Sequence, residues 1–211
     1  MKKWRVCLPV LLASLALWQI GTGLYIPAKA VLAQILLQDA WAQTLAGARR
    51  VKPWPWADIW PVARLRAPRH DVDLMVLAGA GGASLAFGPG HLHGTPPPSA
   101  PGNSVIGGHR DTSLNFLRHV EPGDFFVLEL PDGRAQTYQV TGSTIADARK
   151  PWSGPVVSHP MLTLVTCYPF DAIAAGGPLR YLVFADATDT GNPAPIRPYS
   201  QDGQHRRRTP G

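Results

Sequence analysis

Cys167 closes a run of apolar and β-branched residues, Leu162-Thr163-Leu164-Val165-Thr166, and Tyr168-Pro169 follows it at once. A strand terminus is a good place for a nucleophile, because rigid backbone aims the side chain and the loop beyond leaves room for substrate. A thiol becomes nucleophilic as the thiolate, which needs a histidine or a cation nearby. The other cysteine, Cys7, lies inside an apolar run near the N-terminus. Cys167 therefore stands alone in the presumed folded region, without a disulfide partner and without the thiolates of a structural zinc site. The bland alternative is a buried, inert cysteine acting as a small hydrophobe.

His109 is the first candidate to pair with it. Its context is Asn103-Ser104-Val105-Ile106-Gly107-Gly108-His109-Arg110-Asp111-Thr112, a short apolar strand, two glycines and then the imidazole at the strand end. A cysteine and a histidine distant in sequence but close in space are the minimum for thiol catalysis. Asp111 and Thr112 are placed to orient the ring or hold the loop. Arg180, in Pro178-Leu179-Arg180-Tyr181-Leu182-Val183, is a charge on an apolar strand. Such an arginine needs a partner or a cleft, and its fork of donors suits a developing oxyanion or a substrate carbonyl. A competing constellation is metal binding by His91 and His93 with His109 or Asp111, although a His-x-His pair alone is a weak signal. His70, His119, His159 and His205 read as surface or structural histidines.

These residues must be held by strands. VDLMVLA (72–78), FFVLEL (125–130), RAQTYQVTG (134–142), MLTLVTC (161–167) and PLRYLVFADA (178–187) are strand-like runs punctuated by turns such as Glu121-Pro122-Gly123-Asp124 and Pro131-Asp132-Gly133. A short helical stretch is expected between Ser113 and Val120. With 21 glycines and 22 prolines in 211 residues, the chain is too turn-rich for a helical bundle. A compact β-barrel or sandwich fits better.

The formal charge of +6 invites a nucleic-acid reading, and its distribution argues against one. Residues 1–70 hold ten Lys/Arg against two acids, and residues 191–211 hold four against one. The middle, residues 71–190, holds six against eleven and is acidic. At the N-terminus, Val6 to Ala28 is an uncharged run of 23 residues, preceded by Lys2, Lys3 and Arg5. Its length suits a membrane-spanning signal anchor with the catalytic region outside. A cleaved signal peptide is the rival, since Ala28-Lys29-Ala30 fits a cleavage pattern. Both export the domain. Residues 31–48, with apolar Val31, Ile35, Leu36, Leu37, Trp41 and Leu45, suit an amphipathic helix. VKPWPWADIWP then reads as an extended linker whose tryptophans bind the membrane surface or pack on the domain. The expected organisation is an anchor over 1–29, a juxtamembrane helix and Pro/Trp linker over 30–70, a catalytic domain over 71–188, and a disordered basic tail over 189–211.

Together, Thr163-Leu164-Val165-Thr166-Cys167, His109 in GGHRD and Arg180 in LRYLV resemble the signature of the sortase family, in matching order and approximate spacing. AFGPGH, PGNSVIGGHRDT and LVTCYPFD look most like sortases of Gram-negative proteobacteria. The resemblance implies a mainly β fold, an eight-stranded sortase barrel with short helices, preceded by a transmembrane helix. It implies cysteine transpeptidation without metal or organic cofactor. Cys167 would attack the Thr–Gly carbonyl of an LPxTG-like C-terminal sorting signal, His109 would move protons, and Arg180 would position substrate and oxyanion. Thr166 and Asp111 are expected beside the substrate. The implied partners are a substrate protein and an amine acceptor, and the implied location is the inner membrane with the domain in the periplasm. Residues 168–179 must form the wall beside the thiol. Two other readings stay open, a thiol protease using water and an exported barrel that only binds an envelope partner.

Overall fold

The computed structural model describes residues 2–151, 154–174 and 176–188. A long helix α1 (Lys2–Leu45) leads into eight strands: β1 (Pro61–Ala67), β2 (Val72–Ala78), β3 (Gly90–His91), β4 (Gly102–Gly107), β5 (Phe125–Glu129), β6 (Ala135–Asp147), β7 (Pro160–Cys167) and β8 (Leu179–Ala187). They close into a barrel in the order β1-β2-β3-β4-β7-β8-β6-β5. This is the eight-stranded architecture that the resemblance implies. A single helical turn, α2 (Gly82–Leu85), and two 3-10 turns complete it. One of these, Asn115–His119, falls where the short helical stretch is expected.

Alternation is clear in β1 and β5, whereas β2, β4, β7 and β8 hold consecutive buried residues. In β1 the residues Ala63, Leu65 and Ala67 are fully buried while Arg64 and Arg66 face outward. The core is filled by Leu65, Val76, Ile106, Phe126, Leu128, Tyr138, Leu162, Leu164 and Val183. β7 departs from alternation, with Met161 to Leu164 all buried. It lies between β4 and β8, and the buried Thr163 hydroxyl within this run donates to Asn103 on β4. β6 runs on to Asp147, beyond the expected end at residue 142, because Ser143 to Asp147 pair with β8 after a register shift at Val140/Gly142.

The largest difference from the sequence expectation is β1, which lies inside the segment read as linker. It pairs with β2 on one side and β5 on the other, so it closes the barrel. The turn after it is fastened from below. Asp124, with its side chain 1% exposed, accepts bonds from Arg69 at 2.7 Å and from the Glu121 backbone N–H at 3.1 Å, and lies 2.8 Å from His70 Nε2. Burial alone would raise the Asp124 carboxyl. The bonds from Glu121, His70 and Arg69 outweigh it and hold the group below its ordinary value.

α1 runs as one helix through both the uncharged run and the segment expected to form a separate amphipathic helix. Its barrel-facing side is Ala33, Leu37, Ala40, Trp41 and Thr44, all buried. Of the apolar set expected on one face, beside the membrane or against the domain, Leu37 and Trp41 pack on the barrel while Val31, Ile35 and Leu45 are exposed. Leu12–Leu45 is long and apolar enough to cross a membrane by length and composition, with a mean hydropathy of 1.5 in its most apolar window. The tryptophans divide. Trp41 is buried, Trp54 sits edge-on to Phe87 at 5.1 Å, and Trp56 is 80% exposed. The expected basic tail from residue 189 lies outside the described residues.

Candidate active site

β4, β7 and β8 are consecutive in the barrel, and each carries one candidate at the same end. β4 and β7 run parallel, with Gly107 opposite Val165 as the last pair. His109 and Cys167 each lie two residues beyond it, so both strands release their reactive side chain at the same level. β8 runs antiparallel, and Arg180 is the direct partner of Cys167. The thiol is thus flanked by a strand carrying imidazole and a strand carrying guanidinium. Cys167 is half-buried and His109 is exposed.

Two features fix the relation between His109 and Cys167. The Gly108 N–H donates to the Val165 carbonyl at 3.1 Å, and the Thr166 hydroxyl donates to the Gly108 carbonyl at 2.8 Å. The residue before each reactive group is therefore tied to the opposing strand. Thr166, expected beside the substrate, is 2% exposed, and its hydroxyl is engaged in this bond between the strands. Gly108 has a steric reason as well. A Cβ there would come within 2.6 Å of Leu114 Cγ and 2.7 Å of Ser113 Oγ, on the turn that follows the histidine. Further along β7, the Thr163 hydroxyl donates to Asn103 Oδ1 at 2.8 Å and locks β7 to β4 again.

Beyond the thiol, the β7–β8 connection forms the wall expected of residues 168–179. Tyr168 stacks on Tyr181 with centroids 6.1 Å apart, and Phe170 meets Tyr181 edge-on at 5.3 Å. The Tyr168 N–H donates to the Leu179 carbonyl at 3.0 Å and closes the base of the loop. Arg180 turns its Nη1 to the carbonyls of Gly177 at 2.7 Å and Leu179 at 2.9 Å. Arg118 lies 5.1 Å from the Phe170 ring and 3.2 Å from Asp171.

Arg110 is the residue that sequence reasoning passed over. It follows His109 directly, yet it is 8% exposed, and its Nη2 donates to the carbonyls of Ala172 at 2.8 Å and Ala174 at 2.7 Å. Its Nη1 is buried without a partner. One guanidinium thereby ties the backbone after the imidazole to the wall beside the thiol. The only sequence signal for it is its adjacency to His109.

Asp111 is exposed, on the turn just past His109. His91 Nε2 lies 3.0 Å from the Pro96 carbonyl and 3.1 Å from the Thr95 hydroxyl, a loop-holding arrangement. Among the described residues no three His, Cys, Asp or Glu side chains stand close enough together to hold a metal ion.

Comparison with known proteins agrees with this geometry. The family model described as the Sortase domain matches residues 65–188, which include all three candidates and the last three residues of β1. Sortase D of Bacillus subtilis (strain 168) is 31% identical over 122 residues, covering 57% of this chain and 60% of that protein's length. The crystal structure of sortase C-1 from Actinomyces oris superposes with a TM-score of 0.55 at 25% identity, over 71% of this chain and 98% of that one. Sortase A from Corynebacterium diphtheriae, at 21% identity, shares the fold with a TM-score of 0.58, over 77% of this chain and 87% of that one. By the domain matched over more than half its length, and by the barrel that carries it, this chain belongs to the sortase family.

Proposed function

We propose that this sortase-family protein is a membrane-anchored cysteine transpeptidase acting on proteins with an LPxTG-like C-terminal sorting signal. The observation that carries the reading is the adjacency of His109, Cys167 and Arg180 at the ends of three neighbouring strands. In the proposed reaction the Cys167 thiol gives its proton to His109, and its sulfur adds to the scissile carbonyl carbon. Arg180 and nearby backbone N–H groups stabilise the oxyanion. The C–N bond then breaks, and His109 returns the proton to the departing amine. A thioester remains on Cys167. An amine acceptor attacks that thioester, His109 takes its proton, and a new amide bond releases the thiol.

α1 supports an anchor in the inner membrane, with Lys2, Lys3 and Arg5 on the cytoplasmic side and the barrel in the periplasm. The motifs AFGPGH and LVTCYPFD favour the Gram-negative subclass. The test is to mix the full chain in detergent with sorting-type peptides, with and without primary amines, and to identify the products by mass. Amine-ligated peptide is the expected product. Hydrolysis alone with every amine tried would replace transpeptidation by thiol proteolysis. No cleavage of any peptide, with labelling of Cys167 by a thiol-reactive substrate analogue also absent, would favour the binding-barrel reading.

A further inference from the structure

α1 grips the barrel only through its C-terminal part. Leu37 and Trp41 are buried with Ala57, Ile59, Met75 and Leu77, and Gln34 Nε2 donates to the Phe87 carbonyl at 2.9 Å. Beside these anchors lies an open cavity of about 1140 Å³. One wall is helix residues 25–38, and the other is built from 54–59 with Ala83, Ala86 and Phe87. Most of its exposed lining is hydrocarbon or aromatic, with Tyr25 61%, Val31 60%, Leu32 55%, Ile35 55% and Trp56 80% exposed, and its charged members are Lys29 and Asp58, the latter 3.7 Å from Lys52. From Gln38 the exposed residues of the helix turn polar, with Asp39 and Gln43 joined by a hydrogen bond at 2.8 Å.

The position of this cavity along the helix identifies its occupant. At about 1.5 Å per residue, Val31 and Ile35 stand about 5 and 10 Å beyond Ala28, the end of the uncharged run. A bilayer of about 40–45 Å with a core of about 30 Å leaves an interfacial layer of about 5–8 Å on each side. The helix wall of the cavity starts at Tyr25, about 5 Å inside Ala28, and so crosses from the hydrocarbon edge through the interfacial layer. Lys29 lies there, 5.1 Å from the Tyr25 ring, and Arg50 lies 5.5 Å from the Trp60 ring. A cation over the exposed Tyr25 ring suits an anionic interface. An extended peptide would need partners for its backbone N–H and C=O groups, whereas the lining is mostly apolar and its Gln34 amide is already engaged.

We propose that this cavity is a lipid-docking surface, filled by a phospholipid acyl chain from the bilayer that holds α1, with Lys29 at the headgroup. The inference rests on the membrane-anchored reading above. Its consequence is a fixed height and tilt of the barrel over the membrane, because Trp56 and Phe87 belong to the domain and not to the anchor.

The test uses the full chain in nanodiscs of phosphatidylethanolamine and phosphatidylglycerol, doped with a phospholipid that carries a photoactivatable diazirine in its acyl chain. After irradiation, adducts are mapped by peptide mass spectrometry. The expected result is adducts on segments 54–59 and 82–87 as well as on the anchor. Trp56→Asp should lower those on 54–59 by about tenfold, because a charge is excluded from hydrocarbon, and leave anchor adducts unchanged. Adducts confined to the first 30 residues would overturn the docking surface and leave the anchor standing. Cross-links between two copies of the chain at 54–59, in place of lipid adducts, would also overturn it. Absence of all adducts, with the chain released by alkaline carbonate, would overturn the anchored reading itself.

Discussion

Two sets of arginines divide this barrel. On the β1–β2–β5 face the cations meet carboxylates. Arg64 bonds Asp73 at 2.6 and 2.7 Å, Arg66 lies 3.7 Å from Glu129, and Arg69 bonds Asp124 at 2.7 Å. At the thiol end Arg110 and Arg180 bond only main-chain carbonyls among the described residues. Arg118, with Asp171, and Arg149, with Asp147 at the β6 end opposite Leu179, are the exceptions there. A carboxylate cancels a guanidinium's charge and a carbonyl does not. The first face is electrically closed and serves the fold. The second keeps uncancelled positive charge around a half-buried thiol, where a reaction that builds an oxyanion needs it. A net charge of +6 for the whole chain says nothing of this division.

The comparison can be broken first at Arg180. Replacing it with glutamine is expected to reduce peptide-to-amine transfer about 100- to 1000-fold, the scale of losing an oxyanion donor. Lysine should restore part of the rate if charge is what matters. Wild-type rates in the glutamine variant, measured by product mass, would place Arg180 with the structural set. Arg110→Ala should act more gently, lowering transfer about tenfold by loosening the wall. Hydrogen exchange across 170–178 should rise in that variant, and lysine should not rescue it, because an ammonium lacks the planar fork that spans two carbonyls. Unchanged exchange would remove the proposed link between imidazole and wall.

On the other face the effects should appear in stability and not in rate. Asp124→Asn is expected to cost about 1–3 kcal/mol in denaturant unfolding, with transfer activity intact at neutral pH. The sign with pH follows from the lowered Asp124 value. Its contribution is complete above the unfolded carboxyl's titration near pH 4 and fades as pH falls through the folded value. The gap between wild type and variant should therefore close in acid, and a gap that widens there would contradict the assignment. The smallest effect belongs to Arg64→Ala, a partly exposed pair worth less than about 1 kcal/mol by the same unfolding measurement.

The three candidate residues stood out because each sits at a strand end inside a run that declares itself, TLVTC, GGHRD and LRYLV, and the barrel brings those strands side by side. Arg110 was not, since an arginine after a loop histidine reads as solvated. Its burial depends on carbonyls at 172 and 174, more than sixty residues away. β1 had a period-2 signal, with buried Ala63, Leu65 and Ala67 separated by arginines, but the prolines and tryptophans before it made the segment look like linker. On α1 the apolar pattern does not by itself say which residues pack on the barrel. Small residues, Ala33 and Ala40, let the helix approach the barrel, while the larger Val31 and Ile35 stay outside. Ala33 and Ala40 flank Leu37 and Trp41, the large residues that fill the contact.

The central claim is that Cys167 carries the acyl group between two amines. Intact-mass spectrometry, after an acid quench of the full chain during turnover of sorting-type peptides without an amine acceptor, tests it most directly. The expected spectrum shows the peptide's acyl fragment on Cys167, released by hydroxylamine and absent from Cys167→Ala. Peptide cleavage with Cys167 unmodified throughout, or an acyl adduct on any other residue, would contradict it.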